Sequence, residues 1–160
     1  MTRKSAGQWF REYGDSHRNP VNKFIHWICV PLIYLTIFGI LWDLPSASWM
    51  GYLPGLNWAI LVALPVMLFY WLLSPSLAKG LLIFTLLCFA GFVAYGYWYS
   101  TPLWLSCVVA FVVLWVGQFV GHYIEGKKPS FFKDLQFLLI GPAWLMAALY
   151  DLLGIRYDKA

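Results

Sequence analysis

Between Gly80 and Ile124 the chain runs 45 residues without a single Asp, Glu, Lys or Arg. As one helix that stretch would extend roughly 68 Å, against the roughly 30 Å of a bilayer's hydrocarbon core. It must therefore turn once, and Tyr99-Ser100-Thr101-Pro102 carries the turn signal. Two membrane spans are predicted, over 80–98 and 102–124. The rest of the inventory agrees: 61% of residues are hydrophobic, 11% are charged, and mean hydropathy is +0.68. A soluble domain has about twice that share of charge, and neither a disordered tail, a collagen nor a coiled coil can be built from these residues.

Two further spans precede this run. Phe24 to Trp42 is 19 residues free of Asp, Glu, Lys and Arg, long enough to cross, and Asp43 ends it. A loop rich in Pro, Ser and Gly follows, and 57–73 forms the next span, ending at Ser74-Pro75. The last apolar segment, 135–153, is shorter and carries Gly141-Pro142, which predicts a broken or re-entrant element. At the other end, 1–20 reads as a cytoplasmic amphipathic segment with Trp9, Phe10 and Tyr13 on its apolar side, a short helix lying in the headgroup layer. Pro20 is expected to interrupt it. Asn22 is expected to cap the first span, with Lys23, Phe24, Ile25 and His26 as its first turn. The expected fold is all-α: one integral membrane helical bundle over 1–160, with four transmembrane helices, a fifth broken segment and a short N-terminal interfacial helix.

Charge orients the bundle. Arg3, Lys4, Arg11, Arg18 and Lys23, then Lys79, then Lys127, Lys128 and Lys133 all fall on one side of four crossings, and the two opposite loops hold no Lys or Arg. That is the positive-inside pattern, with the N-terminus cytoplasmic. The basic groups are too sparse for nucleic acid. Cys29, Cys88 and Cys107 stand apart in apolar runs and read as small buried hydrophobes, without a disulfide framework or zinc ribbon. The first 23 residues lack the apolar centre of a cleavable signal, so the first span is expected to serve as an uncleaved anchor. The bacterial inner membrane is the favoured location, with the endoplasmic reticulum next.

The chain has 3 histidines. His17 and His26 flank the start of the first span, and His122 ends the fourth, so this topology delivers all of them to one membrane level. At about 100° per residue, Gln118, His122 and Glu125 share one stripe of their helix, and Asn22 shares a face with His26. The Pro20 break lets His17 fold back over the start of the span. Gly117 and Gly121 form a small-xxx-small pair beside His122, adequately explained as close helix packing. Any one of these residues alone has a plainer reading, an interfacial histidine or a charged loop. Together they suggest a metal site, since ionisable groups in spans cost about 2.5–3.5 kcal/mol on insertion scales. Three imidazoles with a carboxylate suit iron(II), zinc or manganese. Glu125 would ligate directly or accept from an imidazole N–H, while Asn19, Asn22 and Gln118 would fix ring orientation. A b-type haem electron carrier using two of the histidines and a non-catalytic scaffold or transporter stay open on these residues.

The motifs Tyr13-x3-His17-x-Asn19-Pro20-x-Asn22-Lys23-x2-His26 and Gln118-Phe119-x-Gly121-His122-x2-Glu125-Gly126-x2-Pro129 together resemble the Mpo1-like family, as do Pro31 and Gly141-Pro142. The resemblance covers essentially the whole chain. It implies an iron(II)-dependent dioxygenase of fatty acid α-oxidation, which shortens a long-chain 2-hydroxy fatty acid by one carbon with O2 and releases CO2. His17, His26 and His122 would then hold Fe(2+), with Glu125 as fourth or supporting group. Arg18 or Lys23 would pair with the substrate carboxylate, and the acyl chain would lie among the spans in the lipid bilayer.

Overall fold

The computed structural model describes residues 4–128 and 136–157. Arg3, Pro129, Lys133, Leu135 and Lys159 lie outside the described residues. Among those described there are six α-helices, one short 3₁₀ turn and no strand: α1 Ala6–Gly14, α2 Pro20–Asp43, α3 Trp58–Leu73, α4 Pro75–Trp98, α5 Leu103–Glu125 and α6 Phe137–Leu153.

Local chemistry sets the helix starts. Ser5 and Gln8 form a reciprocal capping box at α1, with Ser5 N–H donating to Gln8 Oε1 at 2.8 Å. The start of α2 differs from expectation. Asn19, not Asn22, is the cap, its Oδ1 accepting from Val21 N–H at 2.9 Å, and Pro20 is the first helical residue. A proline there costs nothing, because the first-turn N–H has no partner in any helix and the fixed φ already suits the fold. Pro20 therefore starts a helix rather than interrupting one, and Asn22 is freed to turn inward. At the opposite end, Asp43, the last residue of α2, accepts the Trp104 N–H at 3.1 Å and so caps α5.

Side-chain register fixes the topology. Tyr34 meets Thr85, Phe38 meets Phe89 and Trp42 meets Phe92 in step, so α2 and α4 run parallel. Asn19 meets Glu125 at one end and Asp43 meets Trp104 at the other, so α5 is antiparallel to α2. The end where α2 and α4 begin and α5 finishes is called the near end below. The most intimate packing is α2 on α5. A Cβ on Gly121 would lie 2.5 Å from Asn22 Oδ1, so these backbones approach as closely as glycine permits.

α2, α4 and α5 are long and apolar enough to cross a membrane; α3 and α6 are apolar but shorter. Ile83, Leu87, Val109 and Val113 on the outer faces of α4 and α5 are exposed, as a lipid-facing surface requires. α6 departs from its prediction. Gly141-Pro142 does not break it, and the helix is continuous. Phe137 packs edge-on to Trp9 at 5.2 Å, and Tyr150 Oη donates to the Ser76 carbonyl at 3.2 Å. Both ends of α6 thus contact near-end structure, so it lies across that end instead of running the length of the bundle. The buried side of α1, formed by Ala6, Trp9 and Tyr13, packs on α6.

Candidate metal centre

The near end collects every histidine of the chain. His17 comes from the α1–α2 connection, His26 from the second turn of α2 and His122 from the last turn of α5. All three are buried. Their ring centroids are 4.3 Å (His17–His26), 5.0 Å (His17–His122) and 4.9 Å (His26–His122) apart, with interplanar angles of 72–87°. One ring nitrogen from each lies within 4.8 Å of the others.

Hydrogen bonds choose which nitrogen faces inward. His17 Nδ1–H donates to the Tyr13 carbonyl at 2.6 Å, and His26 Nδ1–H donates to the Asn22 carbonyl at 2.9 Å. Each acceptor lies four residues back along the chain. With Nδ1 protonated in both, Nε2 carries the free lone pair, the form that binds a metal. His17 Nε2 and His122 Nδ1 are buried without any hydrogen-bond partner. Such atoms cost about 1–3 kcal/mol each when left unsatisfied, and a shared cation would satisfy them. Burial, the dominant effect, also pushes the His17 imidazole down to about 4, so the ring is neutral at pH 7 and its lone pair is available. The donor set fits a divalent transition metal held by three neutral imidazoles.

Around this cluster the expected supporting residues take definite places. Gln118 is buried and lines the same space as His26 and His122. Asn22 is buried, its Nδ2 donating to the Ser16 carbonyl and to Glu125 Oε2, both at 3.0 Å. Asn19 serves the start of α2 rather than a ring. Glu125 does not join the three-histidine group. Its two oxygens accept the Arg18 N–H at 2.9 Å and the Asn19 N–H at 2.8 Å as well as the Asn22 amide. It is a clamp fastening the end of α5 to the loop that carries His17. The reason is competition: two backbone N–H groups at the start of α2 have no helical partner and draw the carboxylate. Arg18 and Lys23 stand apart from the histidines. The Arg18 guanidinium pairs with Asp15 at 2.6 Å on the surface, Lys23 is exposed, and neither lines the interior.

Beside the histidines lies a cavity of about 360 Å³. Its wall on α2 runs from His26 through Val30, Ile33 and Ile37 to Phe38, about 18 Å along the axis. α3 contributes Val62 and Val66, α5 Trp115 and Gln118, and α6 Leu138, Leu139, Gly141 and Pro142. The lining is apolar apart from its histidine end, so it suits a ligand with one polar head and a long hydrocarbon body. Sequence reasoning missed the contributions of α3 and α6 to the cavity wall, and missed Tyr13. The Tyr13 ring stacks on His17 at 4.1 Å and 11°. Its spacing of four before His17 is the signal that the two side chains meet.

No curated protein and no solved structure matches the chain. A family model does, over residues 3–153, and its description is 2-hydroxy-palmitic acid dioxygenase Mpo1-like. With both motifs inside that match, the chain belongs to the Mpo1-like family.

Proposed function

We propose that this protein is an iron(II)-dependent dioxygenase of fatty acid α-oxidation. It takes a long-chain 2-hydroxy fatty acid, R–CH(OH)–COOH, and O2 to R–COOH, CO2 and H2O. The C1–C2 bond breaks, C2 is oxidised to the new carboxyl and C1 leaves as CO2, while O2 accepts the electrons. The observation that carries this reading is the placement of three buried imidazoles, two with orphaned nitrogens, at the polar end of a long apolar cavity.

A ferrous ion held by His17, His26 and His122 would supply Lewis acidity and the one-electron chemistry that O2 requires. The chain's own residues supply the setting. The Tyr13 and Asn22 carbonyls hold two rings in the correct tautomer. Glu125 fixes the loop carrying His17 against α5, which keeps the ligands from drifting. The cavity wall aligns the acyl body, so that C1 and C2 present themselves at the histidine end. Apolar walls exclude bulk water from a reactive oxidant.

The membrane arrangement we infer has α2, α3, α4 and α5 crossing alternately, with α6 resting across the cytoplasmic end and the site at that level. The basic residues near α1, the start of α4 and the end of α5 then face the cytosol, as the positive-inside rule asks. A cytosolic location keeps the metal reduced, and a bacterial inner membrane or an endoplasmic reticulum membrane satisfies this. The haem alternative is disfavoured by packing: rings with centroids 4.3–5.0 Å apart leave no slot for a macrocycle between any two.

The test is metal analysis of protein purified without chelator, followed by incubation with 2-hydroxyhexadecanoate in air. Iron bound near one per chain, with pentadecanoate and CO2 formed, supports the reading. Absence of product with iron bound and substrate supplied refutes it.

A further inference from the structure

An acid bound in this cavity needs a partner for its carboxylate, and among the described residues no Lys or Arg lines the cavity. The polar groups that do line it can be accounted for in turn. The Thr85 hydroxyl donates to the Leu81 carbonyl at 2.7 Å, so Tyr34 must spend its proton on Thr85 Oγ1, also 2.7 Å away. Gln118 is a buried, uncharged amide on α5, one turn before His122. Trp115 precedes His122 by seven residues on α5, about 10 Å further along the axis, beside the hydrocarbon part of the cavity. Tyr13 remains. It lines the cavity, and its Oη makes no hydrogen bond with any described residue.

The position of that hydroxyl is built by the surrounding residues. The Tyr13 ring is held face to face on His17 and contacts Trp144 with centroids 5.4 Å apart. A Cβ on Gly141 would stand 3.0 Å from Tyr13 Oη. The absence of a side chain at Gly141 is therefore the notch that admits the phenol to the cavity wall. A hydroxyl with a free proton thus stands beside a metal-ligand histidine, where the head of the substrate must lie.

We propose that Tyr13 binds the substrate carboxylate, its Oη–H donating to one carboxylate oxygen of the 2-hydroxy acid; this rests on the function proposed above. A charge-assisted hydrogen bond in an apolar site makes an appreciable contribution to affinity. Tyr13→Phe keeps the ring stack on His17 and removes only this donor. The experiment titrates 2-hydroxyhexadecanoate, and separately its methyl ester, into cobalt(II)-loaded protein without O2, following the visible cobalt absorption. Tyr13→Phe is expected to weaken binding of the acid by about ten-fold or more, to weaken the uncharged ester much less, and to leave cobalt content unchanged. Gly141→Ala, whose methyl crowds Oη while sparing every histidine, is expected to shift the acid in the same direction.

Equal affinity of wild type and Tyr13→Phe for the acid overturns the proposal. So does an equal loss for acid and ester with cobalt released, which would mean that Tyr13 only props His17. Should Tyr13→Phe fail to fold, unchanged acid binding in Gly141→Ala overturns it. Wild-type protein that binds neither compound and forms no product sinks the functional reading itself, a result distinct from wild-type turnover with an indifferent Tyr13→Phe.

Discussion

Gly121→Ala tests the geometry on which the site depends. The added methyl would sit 2.5 Å from Asn22 Oδ1 and 3.5 Å from both Asn22 Cγ and Ile25 Cγ2. Ordinary contact begins near 3.4 Å, so α5 must back away from α2 by about 1 Å or Asn22 must turn. Neither is easy. Asn22 is fully buried and held by the Ser16 carbonyl and Glu125, and its turning would break two hydrogen bonds worth about 1 kcal/mol each. Overpacking of this kind costs about 1–3 kcal/mol. The damage falls beside His122 and one turn before His26, so metal retention should drop together with stability. Two controls grade the effect. A Cβ at Gly117 meets Cys29 Sγ at 3.1 Å, a milder conflict, and a Cβ at Gly91 meets nothing within 4 Å. Thermal midpoints in detergent and iron per chain should therefore fall in the order Gly91→Ala, Gly117→Ala, Gly121→Ala, the first neutral or slightly stabilising by up to about 1 kcal/mol. Gly121→Ala with a wild-type midpoint and wild-type iron would refute the claim that this approach assembles the site.

Further expectations follow from the same contacts. His17→Ala, His26→Ala and His122→Ala should each abolish turnover and reduce iron content at least 10-fold, read by elemental analysis; wild-type turnover with metal retained would count against the site. Glu125→Ala removes the clamp but no ligand, so metal affinity should weaken by a smaller factor than for any histidine variant, as competition with a chelator will show. Metal-free protein should lose stability as pH falls from about 6.5 to about 4. The sign is set by burial, which lowers the folded-state value of His17, so the unfolded chain binds the proton first; melting curves across that window check it. Asp43→Ala, which uncaps α5, should cost about 1 kcal/mol and leave iron content unchanged.

Much of this protein is legible in local pattern. Hydropathy located the apolar segments, and their breakers placed most helix ends within a residue or two, because both signals act on the chain where they occur. Clear misses came from residues whose partners are distant. Asn22 looked like a cap because its spacing suited one, yet Pro20 lets the helix start earlier and Asn22 faces Gly121 and Glu125 instead. Gly141-Pro142 looked like a break because proline removes one helical hydrogen bond; packing of α6 on α1, α2 and α4 overrides that loss.

The sequence by itself determined that the chain is helical and apolar, and that its histidines belong to one end, since the period and charge of each segment suffice for that. Only the tertiary structure decided which nitrogen of each ring points inward, that Glu125 serves the α2 backbone, that Arg18 stays outside and that Tyr13 stands at the cavity wall. The Glu125 outcome depends on donors brought together from positions about a hundred residues apart, and the others on which nearby acceptor or ring the folded turn brings within reach. A hydrogen bond is decided at about 3 Å, and no spacing along a chain conveys that distance.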